Sequence, residues 1–192
     1  ALSFGGYNGS YLSTTEKWSG SSWATTSALN VIRYSLAGCG DVNNALSFGG
    51  NNDSNLSTTE IWSGSSWATT SALNVARSDL AGCGDINNAL SFGGYNGSSL
   101  STTEIWSGSS WATTSSLNVA RYGLAGCGNT NNALSFGGYN GSIYLSTTEI
   151  WSGSSWSITS SLNVARSDLA GCGNINNALS FGGSNGSNLT TT

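Results

Sequence analysis

The sequence predicts an all-β protein built from one short repeated unit, and three observations lead to this prediction. The hexapeptide Ala-Leu-Ser-Phe-Gly-Gly recurs at intervals of 44, 44, 44 and 45 residues. The chain holds 27 glycines and 8 tryptophans but no proline, and no segment keeps the 3.6-residue apolar period of a helix. Only 7% of the residues are charged, whereas a disordered chain would be expected to carry more charge and fewer aromatic residues.

Each repeat divides into four strand-like segments separated by glycine, asparagine and serine turns. In one unit the predicted strands are 36–40, 45–50, 57–62 and 67–73. Four short antiparallel strands in a repeat of this length are typical of a β-propeller blade. The predicted organisation is a partial blade 1–32, whole blades 33–76, 77–120 and 121–165, and a partial blade 166–192. The last partial blade could close a ring with the first.

The size of the side chains changes along each unit in the way that radial packing requires. The first strand carries Ala, Gly, Cys and Gly, whereas the later strands carry Phe48, Trp62 and Trp67. Inner strands of neighbouring blades crowd together near a propeller axis, and the space between blades widens outward and has to be filled. The pattern therefore predicts that the first strand of each unit lies innermost.

Arg77, Gly93-Gly94, Trp106 and Trp111 stand at positions whose pattern resembles that of the kelch repeat. Kelch repeats have an arginine before the innermost strand, a Gly-Gly closing the second, an aromatic residue in the third and a tryptophan in the fourth. The third-strand aromatic of kelch repeats is usually tyrosine. The resemblance implies a kelch-like propeller, which usually has six or seven blades, and the repeat is also similar to kelch-type arrays in bacterial and bacteriophage surface proteins.

Composition argues against several classes of function. Without histidine the chain has no Ser-His-Asp or Cys-His arrangement and no imidazole ligand for zinc or copper, so the chemistry of kelch-type copper oxidases does not carry over. We expect no catalytic residues, no metal and no cofactor. The net charge of −4 leaves no basic patch for nucleic acid, and no apolar run approaches the ~18 residues of a membrane span.

One glutamate and one arginine recur in every unit, with each arginine 17 residues after its glutamate. We expect structural ion pairs that hold each blade to its neighbour, because the glutamate shares a face with the third-strand tryptophan and a buried charge must be paired. A ring of carboxylates that binds cations or acts as acids is the alternative. The residues are Glu16, Arg33, Glu60, Arg77, Glu104, Arg121, Glu149 and Arg166.

The four cysteines occupy one equivalent position in successive units: Cys39, Cys83, Cys127 and Cys172. Equivalent positions of stacked sheets lie about 10 Å apart, which exceeds the roughly 7 Å limit between the α-carbons of a disulfide. We therefore expect four free thiols that act as small inner-strand side chains. A thiol-lined axial channel is the alternative.

The loop after each Gly-Gly contains turn sequences such as Tyr95-Asn96-Gly97-Ser98. Asn-Gly is a strong signal for a two-residue hairpin turn because both residues tolerate positive φ. The same loops contain sequons, so export through a glycosylating pathway would make them N-glycosylation sites. The candidate acceptors are Asn8, Asn52, Asn55, Asn96, Asn140, Asn185 and Asn188.

The units differ from one another mainly after the Gly-Gly and after the arginine, and these two segments should emerge on the same face of a blade. A constant framework with variation on one face is typical of a binding scaffold, although neutral drift at exposed loops would give the same pattern. Tyrosine and asparagine suit contact with protein or carbohydrate. The candidate binding residues are Tyr7, Asn8, Tyr34, Asn51, Asn52, Tyr95, Asn96, Tyr122, Tyr139, Asn140 and Tyr144.

The sequence as a whole predicts a non-enzymatic binding module outside the cell, on a cell surface or on a virion. Low charge, a single lysine and an Asn/Ser/Thr-rich composition favour that location. The sequence begins in mid-pattern, which suggests a mature product or a fragment. The alternative is a purely structural repeat that self-associates into an array, an oligomeric ring or a filament without recognising a ligand.

Overall fold

A computed structural model describes residues 1–191, and Thr192, the last residue of the predicted fifth unit, lies outside them. The described residues form seventeen β-strands and no helix, which confirms the all-β prediction. The strands are β1 (Leu2–Phe4), β2 (Thr15–Trp18), β3 (Trp23–Thr26), β4 (Ala37–Gly40), β5 (Ala45–Phe48), β6 (Thr59–Trp62), β7 (Trp67–Thr70), β8 (Ala81–Gly84), β9 (Ala89–Phe92), β10 (Thr103–Trp106), β11 (Trp111–Thr114), β12 (Ala125–Gly128), β13 (Ala133–Phe136), β14 (Thr148–Trp151), β15 (Trp156–Thr159), β16 (Ala170–Asn174) and β17 (Asn177–Phe181).

Each repeat forms one antiparallel sheet whose strands lie side by side in chain order. Three sheets have four strands each: β4 to β7, β8 to β11 and β12 to β15. The first sheet has the three strands β1 to β3, and the last has only β16 and β17. The prediction of repeated four-stranded antiparallel sheets is therefore confirmed for the three central units.

Most strands are shorter than the sequence predicts. The second strand of the unit 33–76 ends at Phe48 instead of residue 50, because Gly49 and Gly50 have φ values of 67° and 98° and turn the chain. Position 49 also requires glycine because a β-carbon there would lie 2.9 Å from the carbonyl oxygen of Arg77. The third strand begins at Thr59 and the fourth ends at Thr70, so the remaining predicted strand residues belong to loops.

Every sheet has two chemically different faces. Successive side chains of a strand point to opposite faces, so Trp62 and Trp67 lie on one face and Leu46 and Phe48 on the other. We name the first the indole face and the second the phenyl face, and we use the same names for the equivalent residues of every sheet. In the first four sheets the recurring glutamate lies on the indole face.

The indole face of each sheet packs on the phenyl face of the sheet before it in the chain. The rings of Phe48 and Trp111 have their centroids 5.0 Å apart, and Nε1 of Trp111 donates a hydrogen bond of 3.0 Å to Oγ1 of Thr59. The same ring contact joins Phe4 to Trp67 and Phe92 to Trp156. One interface is thus repeated between successive sheets, and it buries the large aromatic side chains of the core.

The small-residue strands β4, β8, β12 and β16 contact one another in that order. Their close approach depends on glycine, because a β-carbon on Gly38 would lie 2.5 Å from Cζ of Phe4 in the preceding sheet. Gly82, Gly126 and Gly171 meet the phenylalanine of their own preceding sheets in the same way. This strand can therefore carry only small side chains on its indole face.

The two ends of the described array leave opposite faces uncovered. The indole face of the first sheet is exposed, and 49% of Trp23 is accessible to solvent. The phenyl face of the last sheet is also exposed, with Phe181 40% accessible. Each face is the kind that an interior sheet buries against its neighbour.

Candidate functional site

The two variable segments of each unit lie side by side at one end of the sheets. Tyr34, which follows the arginine, exchanges two backbone hydrogen bonds with Asn51, which follows the Gly-Gly. The two N–H···O distances are 3.1 and 2.9 Å. Tyr122 and Tyr139 are joined in the same way at 3.0 and 2.8 Å. These loops form one surface, which we name the loop face.

A first tyrosine cluster on the loop face joins Tyr7, Tyr11 and Tyr34. Their ring centroids lie 5.3 to 5.8 Å apart, and the rings of Tyr11 and Tyr34 stack with an interplanar angle of 3°. The three rings line a groove of about 280 Å³. The Tyr11 hydroxyl donates a 2.7 Å hydrogen bond to Asp53, and this bond raises the pKa of Tyr11 to about 12.

A second cluster contains the other tyrosines in a chain of ring contacts. The centroid distances are 5.1 Å between Tyr95 and Tyr122, 5.7 Å between Tyr122 and Tyr139, and 5.1 Å between Tyr139 and Tyr144. Burial raises the pKa of Tyr122. Tyr95, Tyr122 and Tyr139 line a groove of about 480 Å³, with Asn140 at its edge. All six predicted binding tyrosines therefore belong to two clusters on one face.

The Asn-Gly turns differ from the predicted two-residue hairpins. Gly9 has a φ of 106°, but Asn8, Asn96 and Asn140 do not adopt positive φ, so the prediction for the asparagine position is wrong. The Asn8 side chain instead accepts a 3.2 Å hydrogen bond from the backbone N–H of Ser10, and Asn140 accepts one of 2.9 Å from Ser142. Such bonds from the backbone two residues on are those of an Asx turn, and in these turns the positive φ belongs to Gly9, Gly97 and Gly141.

The predicted asparagines differ in their hydrogen bonds and in their exposure to solvent. Asn51 donates to Asn55 at 3.1 Å and accepts from the backbone N–H of Asp53 at 3.0 Å, so its amide holds the loop together. None of the seven sequon asparagines is buried. Asn8, Asn96, Asn185 and Asn188 are exposed, and Asn52, Asn55 and Asn140 are half-buried.

The recurring glutamates and arginines form buried clusters in the three central units. Glu60 accepts hydrogen bonds from Arg33 Nη2 at 2.7 Å, from the backbone N–H and the Nδ2 of Asn30 at 2.7 and 2.8 Å, and from the Val31 N–H at 3.2 Å. We name this set of donors the carboxylate cradle. Equivalent cradles surround Glu104 and Glu149. In them Arg77 forms an ion pair of 2.7 Å with Glu104, and Arg121 one of 2.9 Å with Glu149.

The pairing differs from the sequence spacing that suggested it. Arg33, Arg77 and Arg121 each pair with the glutamate 27 or 28 residues after them, not with the one 17 residues before them. Arg33 and Glu60 both belong to the predicted blade 33–76, so the expectation that the ion pair itself holds one blade to the next is wrong. The cradle connects neighbouring units through Asn30 and Val31, which precede this blade and donate to Glu60. Burial lowers the pKa of Arg33, Arg77 and Arg121, and the facing carboxylate opposes that shift.

Two of the eight predicted ion-pair residues are not paired with each other or with another charged side chain in residues 1–191: Glu16 and Arg166. Glu16 is exposed on the first sheet, whereas Arg166 is buried beside the last one. The alternative prediction, a ring of carboxylates that binds cations or acts as acids, does not fit the central units. Four hydrogen bonds already occupy each of their carboxylates.

No match is found among protein-family models or curated proteins.

The four cysteines are free thiols on the small-residue strands. Cys83 and Cys127 are buried and Cys172 is exposed. Burial raises the pKa of Cys39 to about 12 and also raises the pKa of Cys83 and Cys127, so these thiols stay protonated near neutral pH. Residues 1–191 contain no group of three acidic, cysteine or histidine side chains placed to hold a metal ion. They also contain no helix with the length and apolar character needed to cross a membrane.

Sequence reasoning missed two kinds of residue. Asn30, Asn74 and Asn118 each supply two of the four hydrogen bonds in their cradle, and the recurrence of Leu-Asn-Val at 29–31, 73–75, 117–119 and 162–164 was a signal that could have identified them. Tyr11 and Asp53 complete the first tyrosine cluster. Tyr-Leu-Ser-Thr-Thr-Glu recurs at 11–16 and 144–149, so the predicted Tyr144 could have pointed to Tyr11. Asp53 occurs in a single unit, so no repeated pattern marks it, and only the fold brings it to Tyr11.

Proposed function

We propose that this protein is a non-enzymatic binding module that recognises protein or glycan through its loop face. The observation that carries the proposal is the gathering of tyrosine rings from different units into two clusters on one surface. Tyrosine offers a large rigid ring and a hydroxyl at low entropic cost, which is why binding surfaces are rich in it.

The grooves between the rings are shaped for small, flat features of a partner. Tyr7 is 62% exposed, and the open faces and edges of the two clusters are available for stacking. The larger groove of about 480 Å³ falls within the usual size range of ligand sites, ~300–1,000 Å³. Asn140 at its edge could add amide hydrogen bonds to the ring contacts. A sugar ring or a side chain of a partner protein suits this combination.

We propose further that the sheets are blades of a kelch-like propeller. The order of contacts among β4, β8, β12 and β16, with glycine inside and tryptophan further out, supports this arrangement. The resemblance of Arg77, Gly93-Gly94, Trp106 and Trp111 to kelch positions supports it too. Electron microscopy of single particles tests it: blades arranged about a point are expected, and a straight stack of sheets would contradict the proposal.

The proposed location is outside the cell, on a cell surface or on a virion. It is supported by the low charge, the single Lys17 and the accessible sequon asparagines. Mass spectrometry of the protein isolated from its natural source tests both the location and the glycosylation of Asn8, Asn96 and Asn185. Sugar attached at these residues would support the proposal, whereas recovery only from the intracellular fraction would contradict it.

The binding experiment replaces two tyrosines of the second cluster by the residue that another unit has at the equivalent position. Ser184 is the equivalent of Tyr95 and Tyr139 in the last unit, so Tyr95→Ser and Tyr139→Ser are substitutions that this loop accepts. We expect a glycan array and a protein pull-down to identify a partner whose binding falls at least about tenfold in the double variant, the loss that central aromatic anchors commonly give.

The matched control removes an exposed apolar side chain elsewhere. Ile158 on β15 is 61% exposed and lies outside both tyrosine clusters, so Ile158→Ser should leave binding unchanged. Partner binding that survives in the Tyr95→Ser/Tyr139→Ser variant at wild-type strength would disprove the assignment of the loop face.

A further inference from the structure

The larger groove of the loop face has an uncharged lining that is rich in rings. It measures about 480 Å³, and its rings are those of Tyr95, Tyr122 and Tyr139. The other lining residues are glycine, serine, alanine and Asn140, so no charged side chain lines the groove. Which partner the groove prefers therefore depends on the charges around it.

Two aspartates flank Tyr122, one from the unit before it and one from the unit after it. Gly123 donates its backbone N–H to the carbonyl oxygen of Asp79 at 2.9 Å and accepts from the N–H of Asp168 at 2.7 Å. The carboxylate of Asp168 is directed at Gly123, since a β-carbon there would lie 2.8 Å from Oδ1 of Asp168. The fold thus brings acidic residues of two different units to the centre of the second tyrosine cluster.

These contacts belong to a row of left-handed residues that runs from unit to unit. Asp79 also donates its backbone N–H to the carbonyl oxygen of Ser35 at 2.9 Å, and Ser35 follows Tyr34 of the first cluster. The φ values in the row lie between 50° and 59°, a region in which glycine and aspartate are found more often than most residues. The row consists of Ser35, Asp79, Gly123 and Asp168, and it fixes both aspartates on the loop face.

The two carboxylates keep hydrogen-bonding capacity for a partner. Oδ2 of Asp79 accepts a bond of 2.9 Å from the Ser78 hydroxyl, and Oδ2 of Asp168 accepts one of 2.8 Å from the Ser167 hydroxyl. Within residues 1–191, Oδ1 of neither aspartate accepts a hydrogen bond. Each carboxylate therefore has one oxygen held in place and one oxygen available.

The aspartates lie close enough to act on the ring between them. Burial raises the pKa of Tyr122, and four neighbours raise it further: Tyr139, Tyr95, Asp168 and Asp79. A group that is harder to ionise because of surrounding negative charge is in a place where a cation is favoured.

No exposed cation balances these carboxylates on the loop face in the part of the chain that the structure describes. All four arginines are buried, and Lys17 lies on β2. Arg166 is close to Asp168 in sequence, but its Nη1 donates to the carbonyl oxygens of Gly182 and Thr191 at 2.8 Å each. The counter-charge that the loop face lacks can be supplied by a partner.

We propose that the larger groove and its two aspartates bind an arginine-rich segment of a partner protein, an inference that rests on the proposed binding role of the loop face. A guanidinium is planar, so it can stack on a tyrosine ring and also form paired hydrogen bonds with a carboxylate. The apolar stem of the arginine side chain packs along the other rings. Lysine has the charge without the flat fork, and a neutral sugar has neither.

The test measures the affinity of defined probes for the whole chain by fluorescence anisotropy. The probes are labelled hexaarginine, hexalysine and a neutral hexasaccharide. We expect hexaarginine to bind most tightly and to bind less tightly as salt is added, because salt screens the charges. Asp79→Asn combined with Asp168→Asn should weaken the binding of hexaarginine at least about fivefold. The Tyr95→Ser/Tyr139→Ser variant should weaken it by a similar factor.

The matched control removes the same number of carboxylates from the other end of the sheets. The chain has a net charge of −4, so a cationic peptide is attracted to all of it. Asp41 and Asp85 lie in the turns that follow β4 and β8, and Asp41→Asn combined with Asp85→Asn should change the affinity less than about twofold. Asn129 makes the same turn hydrogen bonds as Asp41, so the control keeps its turns.

The aspartate variant should also stay folded, because asparagine tolerates left-handed φ as aspartate does, and circular dichroism checks this. Asp79→Ser is a second variant at this position, since serine is the residue of the preceding unit. It should weaken the binding of hexaarginine in the same direction.

Three results would overturn the inference: hexaarginine that binds no better than hexalysine, an equal loss in the two aspartate variants, and a loss that the tyrosine variant does not share. Binding of the hexasaccharide alone, abolished in the tyrosine variant, would also overturn it but would leave the proposed binding role of the loop face intact. Binding of peptide and sugar that the tyrosine variant leaves unchanged would contradict both proposals.

Discussion

Gly82 in β8 lies directly against the ring of Phe48 in the preceding sheet, so close that a β-carbon at this position would overlap Cζ of the ring. The same pair of residue types meets at every contact between successive sheets. The backbone φ of Gly82 is not positive, so the neighbouring ring, and not the conformation of the chain, requires a glycine here. The contact between Gly82 and Phe48 therefore limits how closely these two sheets can approach each other.

Replacement of this glycine should weaken the interface without altering the strand. Gly82→Ala is expected to lower the free energy of unfolding by about 1–3 kcal/mol, the usual cost of overfilling a packed core. Urea unfolding followed by tryptophan fluorescence measures the change. Combining Gly82→Ala with Phe48→Leu should cost less than the sum of the two single variants, because the smaller side chain makes room. Strict additivity would show that the ring and the glycine do not interact.

The buried ion pairs should contribute to stability in a way that surface carboxylates do not. Glu104→Gln leaves the guanidinium of Arg77 buried without a counter-charge, and such a loss costs about 3–5 kcal/mol. Asp85→Asn is the control, since Asn129 makes the same turn hydrogen bonds in the next unit. The control should stay within about 0.5 kcal/mol of the wild type in urea unfolding. Equal effects of the two substitutions would contradict the role of the cradle.

The cysteines should differ sharply in reactivity although they occupy equivalent positions. Cys172 is exposed, whereas burial raises the pKa of Cys39 to about 12 and also raises that of Cys83. A disulfide reagent at pH 8, applied to dilute protein, should modify Cys172 at least about a hundredfold faster than Cys83, because the thiolate is the reactive form. Cys172→Ala should remove the fast phase. A fast phase that persists in this variant would show that a second thiol is accessible.

The stacked pair Tyr11 and Tyr34 gives a pH-dependent signal on the loop face. The hydrogen bond to Asp53 raises the pKa of Tyr11 to about 12, above the value of about 10 for a free tyrosine. The contribution of this bond to stability is complete below pH ~10 and is lost as the pH rises toward 12, because folding then favours the protonated form. Ultraviolet titration of tyrosinate should show a late step that Tyr11→Phe removes and Asp53→Asn moves to lower pH.

The repeat, the all-β class and the strand content of each unit could be predicted because they depend on local patterns. Alternation along β6 places Glu60 beside Trp62 on one face, and the Gly-Gly at 49–50 marks the end of β5. These features need only the period of a strand and the conformations that glycine permits.

The partners of individual side chains could not be predicted from the same patterns. The order Glu16, Arg33, Glu60 along the chain does not show whether Arg33 pairs backward or forward, since both glutamates are equivalent in sequence. Which glutamate Arg33 pairs with depends on whether its side chain lies beside β2, which carries Glu16, or beside β6, which carries Glu60. Tyr11 and Asp53 are 42 residues apart and belong to different units, so only the packing of two loops reveals their hydrogen bond.

Because every central sheet presents the same indole face on one side and the same phenyl face on the other, a unit can be gained or lost without leaving a mismatched surface. Unequal recombination between neighbouring copies of the coding segment would delete or add one whole sheet, and the flanking sheets would then meet through contacts they already use. The length of such a chain can therefore change in evolution by single units, while selection on the loops proceeds independently of the framework.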